Sequence, residues 1–139
     1  MKQVGVWIDL SQAIIVTIKG DQKTMKKIAG VDSQQRIPGE GKTFTRFGNQ
    51  FSNLERQKES KLAHLTKVFL KSVIDQISHC DELVIFGPAR MKNELADLVI
   101  TNKSLSQKLK GVFSADSMTD RQTIAWVDEY FSKQFIDLL

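Results

Sequence analysis

The residues best suited to chemistry in this 139-residue chain are acidic side chains near the ends of predicted strands and helices. Asp9 ends the first predicted strand and Asp116 follows the last, while Glu59 and Glu94 lie near the starts of two predicted helices. Carboxylates grouped near the centre of a sheet can hold two Mg²⁺ ions for phosphodiester cleavage. The fourth predicted strand, however, supplies no carboxylate at its carboxyl end. We therefore favour Asp9 as a turn residue that accepts backbone N–H bonds next to Ser11, predict no metal site, and keep a metal-dependent nuclease as an alternative.

A second candidate site is the turn that follows the buried apolar run at 83–86. Gly87 allows a sharp turn, and Pro88 suits the first position of a helix, where its missing N–H is no loss. The N–H groups that follow would point outward beside Arg90 and Lys92, and this arrangement can hold an anion such as phosphate. The same pattern also serves an ordinary strand-to-helix connection without a ligand, which is the interpretation that we favour.

Charge is distributed unevenly along the chain. Residues 1–71 contain 13 Lys and Arg against 6 Asp and Glu, whereas residues 72–139 contain 7 against 10. This asymmetry indicates a polyanion partner, although a solvated surface or an acidic protein partner would need the same charges. The predicted phosphate-contacting residues of the basic half are Arg36, Lys42, Arg46, Arg56, Lys58 and Lys61.

Composition indicates a cytoplasmic globular protein. Hydrophobic residues make up 41% of the chain and charged residues 26%, which is ordinary for a globular domain. No apolar run approaches the roughly 20 residues of a membrane span, and the early Asp9 argues against a signal peptide. Cys80 is the only cysteine, so no intramolecular disulfide can form. We predict no cofactor and no membrane partner.

Hydrophobic periodicity divides the chain into strands and helices. Runs rich in β-branched residues predict three sequential strands joined by short polar turns. Apolar spacings of three and four predict a long helix that begins at a capping box of Ser52 and Glu55, and a closing helix that begins at a second capping box of Thr119 and Gln122. The predicted strands span 4–9, 13–19, 23–29, 81–86 and 110–116, and the first two helices span 52–78 and 90–100.

The resulting order, β-β-β-α-β-α-β-α, predicts an α/β fold with a mixed five-stranded sheet and helices on its faces. Right-handed crossovers would place the fourth and fifth strands parallel to the first, which is the order of a ribonuclease-H-like fold. We predict one domain over residues 1–139. Residues 30–51 contain four glycines and no sustained periodicity, and so predict a flexible functional loop.

Three stretches of the sequence resemble known families. LVIFGPARMKNEL at 83–95 and VFSADSMTDRQTIAWV at 112–127 resemble the middle domain of class-1 release factors of the eukaryotic and archaeal type, and of their relative pelota. VGVWIDLSQAIIVTI at 4–18 is similar to the start of small stand-alone bacterial proteins described as translational machinery proteins. The resemblance implies a translation-linked domain.

The resemblance also points to a departure from the release-factor pattern. That domain carries a Gly-Gly-Gln loop before its long helix, which serves peptidyl-tRNA hydrolysis. The corresponding residues here are Gly48, Asn49 and Gln50, so Asn replaces the middle glycine. Asn tolerates left-handed backbone better than most residues but does not equal glycine. Gln50 is thus a weak catalytic candidate, like Asp9.

These observations leave three functional hypotheses. The leading one is an accessory module without catalytic activity that binds ribosome, tRNA or another RNA through phosphate contacts, with Gly48–Gln50 and the Gly87 turn as further contact points. The first alternative is a hydrolase that acts on nucleic acid or on peptidyl-tRNA. The second is a protein-interaction domain whose basic surface meets an acidic partner.

Overall fold

The computed structural model describes residues 1–31 and 48–137 of the chain. Five strands and three longer helices are formed within these described residues. The strands are β1 (Lys2–Ile8), β2 (Gln12–Lys19), β3 (Gln22–Ala29), β4 (Glu82–Gly87) and β5 (Leu109–Ser114). The helices are α1 (Gly48–Ile77), α2 (Met91–Thr101) and α3 (Asp120–Asp137), with a single 3₁₀ turn at Ser106–Lys108.

The strands form one mixed sheet in the order β3-β2-β1-β4-β5. β1 pairs antiparallel with β2, and β2 pairs antiparallel with β3, whereas the pairs β1–β4 and β4–β5 are parallel. At the centre, Trp7 lies between Ile14 of β2 and Phe86 of β4. The predicted α/β class, strand order and parallel pairing are therefore confirmed.

Helices cover both faces of the sheet. On one face, α1 and α2 bury their apolar stripes in one core cluster that also contains alternate residues of β1 and β4, such as Val6 and Ile85. On the other face, α3 packs Val127 and Phe131 against Trp7 and its neighbours. A strand covered on both sides must be apolar at every position, which accounts for the unbroken run at 83–86.

Gly5 shows how closely α3 approaches the sheet. A Cβ placed on this glycine would lie 2.8 Å from Cγ1 of Val127, well inside van der Waals contact, and closer still to the other methyl group of the same side chain. The absence of a side chain at this position therefore lets the helix pack directly on the backbone of β1.

The two predicted capping boxes have different outcomes. At α3 the prediction is confirmed, because Gln122 N–H donates to Thr119 Oγ1 at 3.2 Å and Thr119 N–H donates to Gln122 Oε1 at 3.0 Å. At α1 it is wrong, because the backbone is already helical from Gly48 and Ser52 lies in the second turn. Ser and Glu both tolerate a helix interior, so the same spacing can occur away from a helix start.

The end of the predicted loop over 30–51 is helical. Residues 48–51 belong to α1, and Gly30 is fixed by a backbone hydrogen bond from its N–H to the Ser11 carbonyl at 2.8 Å. Residues 32–47 lie outside the described residues, and with them three of the predicted phosphate-contacting residues, Arg36, Lys42 and Arg46.

Candidate functional site

Two turns meet at the carboxyl ends of the parallel strands β1 and β4. The first, from Asp9 to Gln12, is organised by one carboxylate oxygen. Asp9 Oδ1 accepts hydrogen bonds from Ser11 N–H at 2.8 Å, from Ser11 Oγ at 2.8 Å and from Gln12 N–H at 2.9 Å. This confirms the interpretation of Asp9 as a turn residue and fixes the side of the site that β1 supplies.

The second turn, from Gly87 to Arg90, differs from the prediction. Gly87 lies so close to the Ile8 carbonyl that a Cβ would overlap with its oxygen, and its φ of +152° is accessible to glycine. Pro88, Ala89 and Arg90 follow this glycine before the helix starts, so α2 begins at Met91 with Arg90 as its N-cap residue. The prediction that Pro88 occupies the first helical position is therefore wrong.

A buried lysine holds this second turn. Ala89 adopts a left-handed backbone with φ of +52°, which is costly for a residue with a side chain. The ammonium group of Lys92 donates a hydrogen bond to the Ala89 carbonyl, and only 9% of Lys92 is exposed. Lys92 thus serves the turn itself, whereas the neighbouring Arg90 is exposed at the start of α2.

Between the two turns lies a cavity of about 680 Å³, which we term the strand-end cavity. Ligands of α/β proteins commonly bind outside the carboxyl ends of parallel strands, and this cavity has that position. Its lining residues are Asp9, Leu10, Ser11, Pro88, Ala89, Arg90, Met91 and Asn93. The predicted anion-binding residue Arg90 therefore faces the same space as Asp9, although the cavity walls are mainly apolar.

A second groove, of about 620 Å³, adjoins the strand-end cavity and shares Leu10 and Arg90 with it. It runs between α1 and α2, so we term it the helix groove. Glu59 and Glu94, two of the carboxylates considered for a metal site, line this groove. Within the part of the chain that the structure describes, no group of three or more His, Cys, Asp and Glu side chains is placed to hold a metal ion.

Two groups stand out among the described basic residues of the first half. On β3, Lys23 pairs with Asp128 at 3.0 Å and Lys27 pairs with Asp120 at 3.1 Å, so these charges connect the edge strand to α3. On α1, Lys61 and Lys71 are exposed and form no ion pair among the described residues. Part of the charge asymmetry therefore belongs to ion pairs within the fold, and part lies on exposed side chains of α1.

The remaining predicted residues lie in the first turns of α1. Gly48, Asn49 and Gln50 have helical backbone, so they form the start of the long helix and not a loop before it. Arg56 and Lys58 follow on the same helix. For these five residues the structure describes the backbone only.

Sequence patterns missed an aromatic cluster on the opposite face of the sheet. The rings of Phe86 and Trp126 stack at 3.9 Å, and Trp126 stacks in turn on Tyr130 at 5.6 Å. Phe113 of β5 meets both α3 rings edge-on. The spacing of four between 126 and 130 could have indicated the α3 pair, but the contacts to Phe86 and Phe113 depend on tertiary structure.

The fold is similar to part of a solved translation termination factor. The archaeal translation termination factor aRF1 matches with a TM-score of 0.51 and 13% sequence identity, over 99% of this chain and 41% of its own. Pelota from Archaeoglobus fulgidus matches with a TM-score of 0.49 and 13% identity, over 98% of this chain and 35% of its own. The resemblance inferred from 83–95 and 112–127 is therefore confirmed at the level of the fold.

The chain spans about two fifths of the length of the termination factor. No protein-family model matches the sequence, and none of the curated proteins matches it. Among the described residues, no helix is both long enough and apolar enough to cross a membrane.

Proposed function

We propose that this chain is a translation-linked binding module that contacts the ribosome, tRNA or another RNA and has no catalytic role of its own. The observation that carries the proposal is the outward side of α1, where Lys61 and Lys71 are exposed and have no ion pair among the described residues. The fold shared with aRF1 and the sequence resemblance support the link to translation.

The geometry of α1 suits contacts to a phosphate backbone. A helix of 30 residues is about 45 Å long, roughly twice the length of a seven-residue strand. Lys61 and Lys71 lie ten residues apart, which is about 15 Å along the helix axis. Two exposed cations at this separation can meet separate phosphates, and such contacts give affinity with little sequence preference.

The hydrolase alternatives have weaker support. Asp9 commits one carboxylate oxygen to three hydrogen bonds of its own turn, which is a structural role. Gly48–Gln50 are helical, whereas the release-factor resemblance implies a loop at this place. We therefore assign no reaction to either, and peptidyl-tRNA hydrolysis by wild type and Gln50→Ala is the direct assay for the release hypothesis.

Co-sedimentation with ribosomes, separated subunits and tRNA over a salt series tests the proposal. We expect saturable binding whose affinity falls as salt rises, because each phosphate contact releases a counterion. Lys61→Gln combined with Lys71→Gln should reduce the slope of log K against log salt by about 1.5, at roughly 0.7–0.9 per contact. Binding to an acidic protein in the absence of any RNA binding at low salt would contradict the proposal.

A matched control removes the same charge elsewhere. Lys19 and Lys103 are exposed, lie outside α1, and form no ion pair among the described residues. Lys19→Gln combined with Lys103→Gln therefore lowers the net charge by the same two units. The control should bind with an unchanged salt slope. An equal decrease in both variants would mean that net charge alone determines binding and that α1 is not the contact surface.

A further inference from the structure

The helix groove leaves apolar side chains in contact with solvent. Leu10, Leu62 and Leu98 line it and are 46%, 39% and 42% exposed. Contiguous exposed apolar residues on a folded protein commonly mark an interaction surface. The groove is open along α1, whose lining residues are Glu59, Leu62, Ala63, Thr66, Lys67 and Leu70.

The charges on this side of α1 are self-complementary. Glu59 and Lys67 lie four residues before and four residues after Ala63, so all three fall on one side of the helix. Among the described residues, neither Glu59 nor Lys67 forms an ion pair within the chain. If a second α1 lies antiparallel with the two-fold axis at Ala63, Glu59 of each copy meets Lys67 of the other.

The burial along α1 fits the same arrangement. Among its described residues, the buried side chains are Phe69, Leu70, Val73 and Ile77, which belong to the last third of the helix. The described side chains from 57 to 64 are exposed. Reversal about Ala63 lays residues 59–62 of one copy over residues 64–67 of the other, at the groove between α1 and α2. The exposed turn before Ala63 in one copy then meets Thr66 and Lys67 in the groove lining of the other.

We propose that the helix groove binds a second copy of this chain, giving a two-fold symmetric dimer in which α1 of each copy packs antiparallel in the α1–α2 groove of the other. Such an interface is isologous, so both Glu59–Lys67 pairs form at once. The small side chain of Ala63 lets the helices approach at the axis. Lys61 lies on the opposite side of α1 and Lys71 on its flank, so both stay exposed.

Sedimentation velocity over a concentration series tests the dimer. The chain has a mass of 15.8 kDa, and we expect a species of twice that mass that dissociates on dilution. Glu59→Lys and Lys67→Glu should each weaken the dimer by about tenfold or more, because each change turns two attractive pairs into repulsive ones. The combined variant restores both pairs and should return the dissociation constant to within about threefold of the wild type.

A cysteine introduced at residue 63 gives an independent test of the proposed two-fold axis. Cys80 is fully buried, so an introduced surface cysteine is the accessible thiol. Ala63→Cys lies on the proposed two-fold axis and should form an intermolecular disulfide rapidly under mild oxidation. Val68→Cys, which is exposed at 44% on the other side of α1, is the matched control and should remain monomeric on a denaturing gel.

The outcomes separate this inference from the proposed function. A monomer at every concentration up to about 100 µM would overturn the dimer, since specific interfaces of ordinary size associate below that range. A dimer that the combined charge exchange fails to restore would overturn the antiparallel arrangement. RNA binding is measured with Lys61 and Lys71, which the dimer does not use, so either proposal can fail alone.

Discussion

Substitution of Gly5 by alanine tests the packing of α3 on the centre of the sheet. The added Cβ would lie 2.8 Å from Val127 Cγ1 and 3.1 Å from Val127 Cβ, whereas carbon atoms in good contact are about 3.5–4.0 Å apart. Removal of this overlap therefore requires a movement of about 1 Å. Overpacking of this kind lowers the free energy of unfolding by about 1–3 kcal/mol. The reduced freedom of the unfolded chain offsets about 0.4–1 kcal/mol, so we expect a net loss of about 1–2 kcal/mol.

A double-mutant cycle with Val127→Ala makes this prediction specific. Val127→Ala alone should cost about 1–3 kcal/mol through lost burial and a residual cavity. Together with Gly5→Ala it vacates the space that the new methyl group needs, so the double variant should be more stable than the sum of the single effects by at least about 1 kcal/mol. Urea unfolding followed by circular dichroism measures all four free energies of unfolding.

A control separates packing from backbone strain. Gly20 has φ of +62°, and a Cβ added there would have no atom within 4 Å, so Gly20→Ala introduces strain without overlap. It should destabilise the protein by about 1–2 kcal/mol and show no coupling to Val127→Ala. Strict additivity of Gly5→Ala and Val127→Ala would refute the direct packing of α3 on β1.

Two further predictions concern single side chains. Asp9→Ala should lower the free energy of unfolding by about 1–3 kcal/mol, because three donors lose their acceptor. Asp9→Asn keeps an acceptor oxygen and should lower it less. Equal stability of the wild type and both variants in urea would contradict the role of Asp9 in the turn. Burial raises the pKa of the Cys80 thiol above its ordinary 9.0, so the unfolded chain loses this proton first and stability should fall as pH rises through about 9. The urea midpoint should therefore decrease between pH 7.5 and pH 10 by a larger amount in the wild type than in Cys80→Ala. Equal decreases in the two proteins would contradict the raised pKa.

Much of the fold could be predicted from local patterns because each pattern has one physical cause. The run at 83–86 is apolar at every position because β4 is covered on both faces, and β3 is rich in lysine because it is an edge strand. The Thr119 capping box is confirmed because nothing before it continues the helix. The capping box predicted at Ser52 is wrong because helical backbone extends upstream to Gly48.

The candidate site was harder to predict because it depends on tertiary contacts. The sequence indicates a turn after Gly87, but the left-handed Ala89 and its hydrogen bond from buried Lys92 depend on how β4 approaches Ile8. A lysine in a helical first turn is typical of an exposed residue, so its burial carries no sequence signal. The alignment of Glu59, Ala63 and Lys67 on one side of α1 follows from helical spacing. We could connect it with a contact surface only because the structure places a groove beside it.

The position of β1 has a consequence for how the chain folds. β1 is the central strand, yet it comes first among the five strands along the chain, and its parallel partner β4 begins about 80 residues later. The antiparallel strands β1 to β3 can pair early through local turns, whereas one edge of β1 stays unpaired until β4 arrives. During that interval the unpaired edge of β1, which includes Val6 and Ile8, can pair with strands of other chains. This strand order therefore favours aggregation of incompletely folded chains.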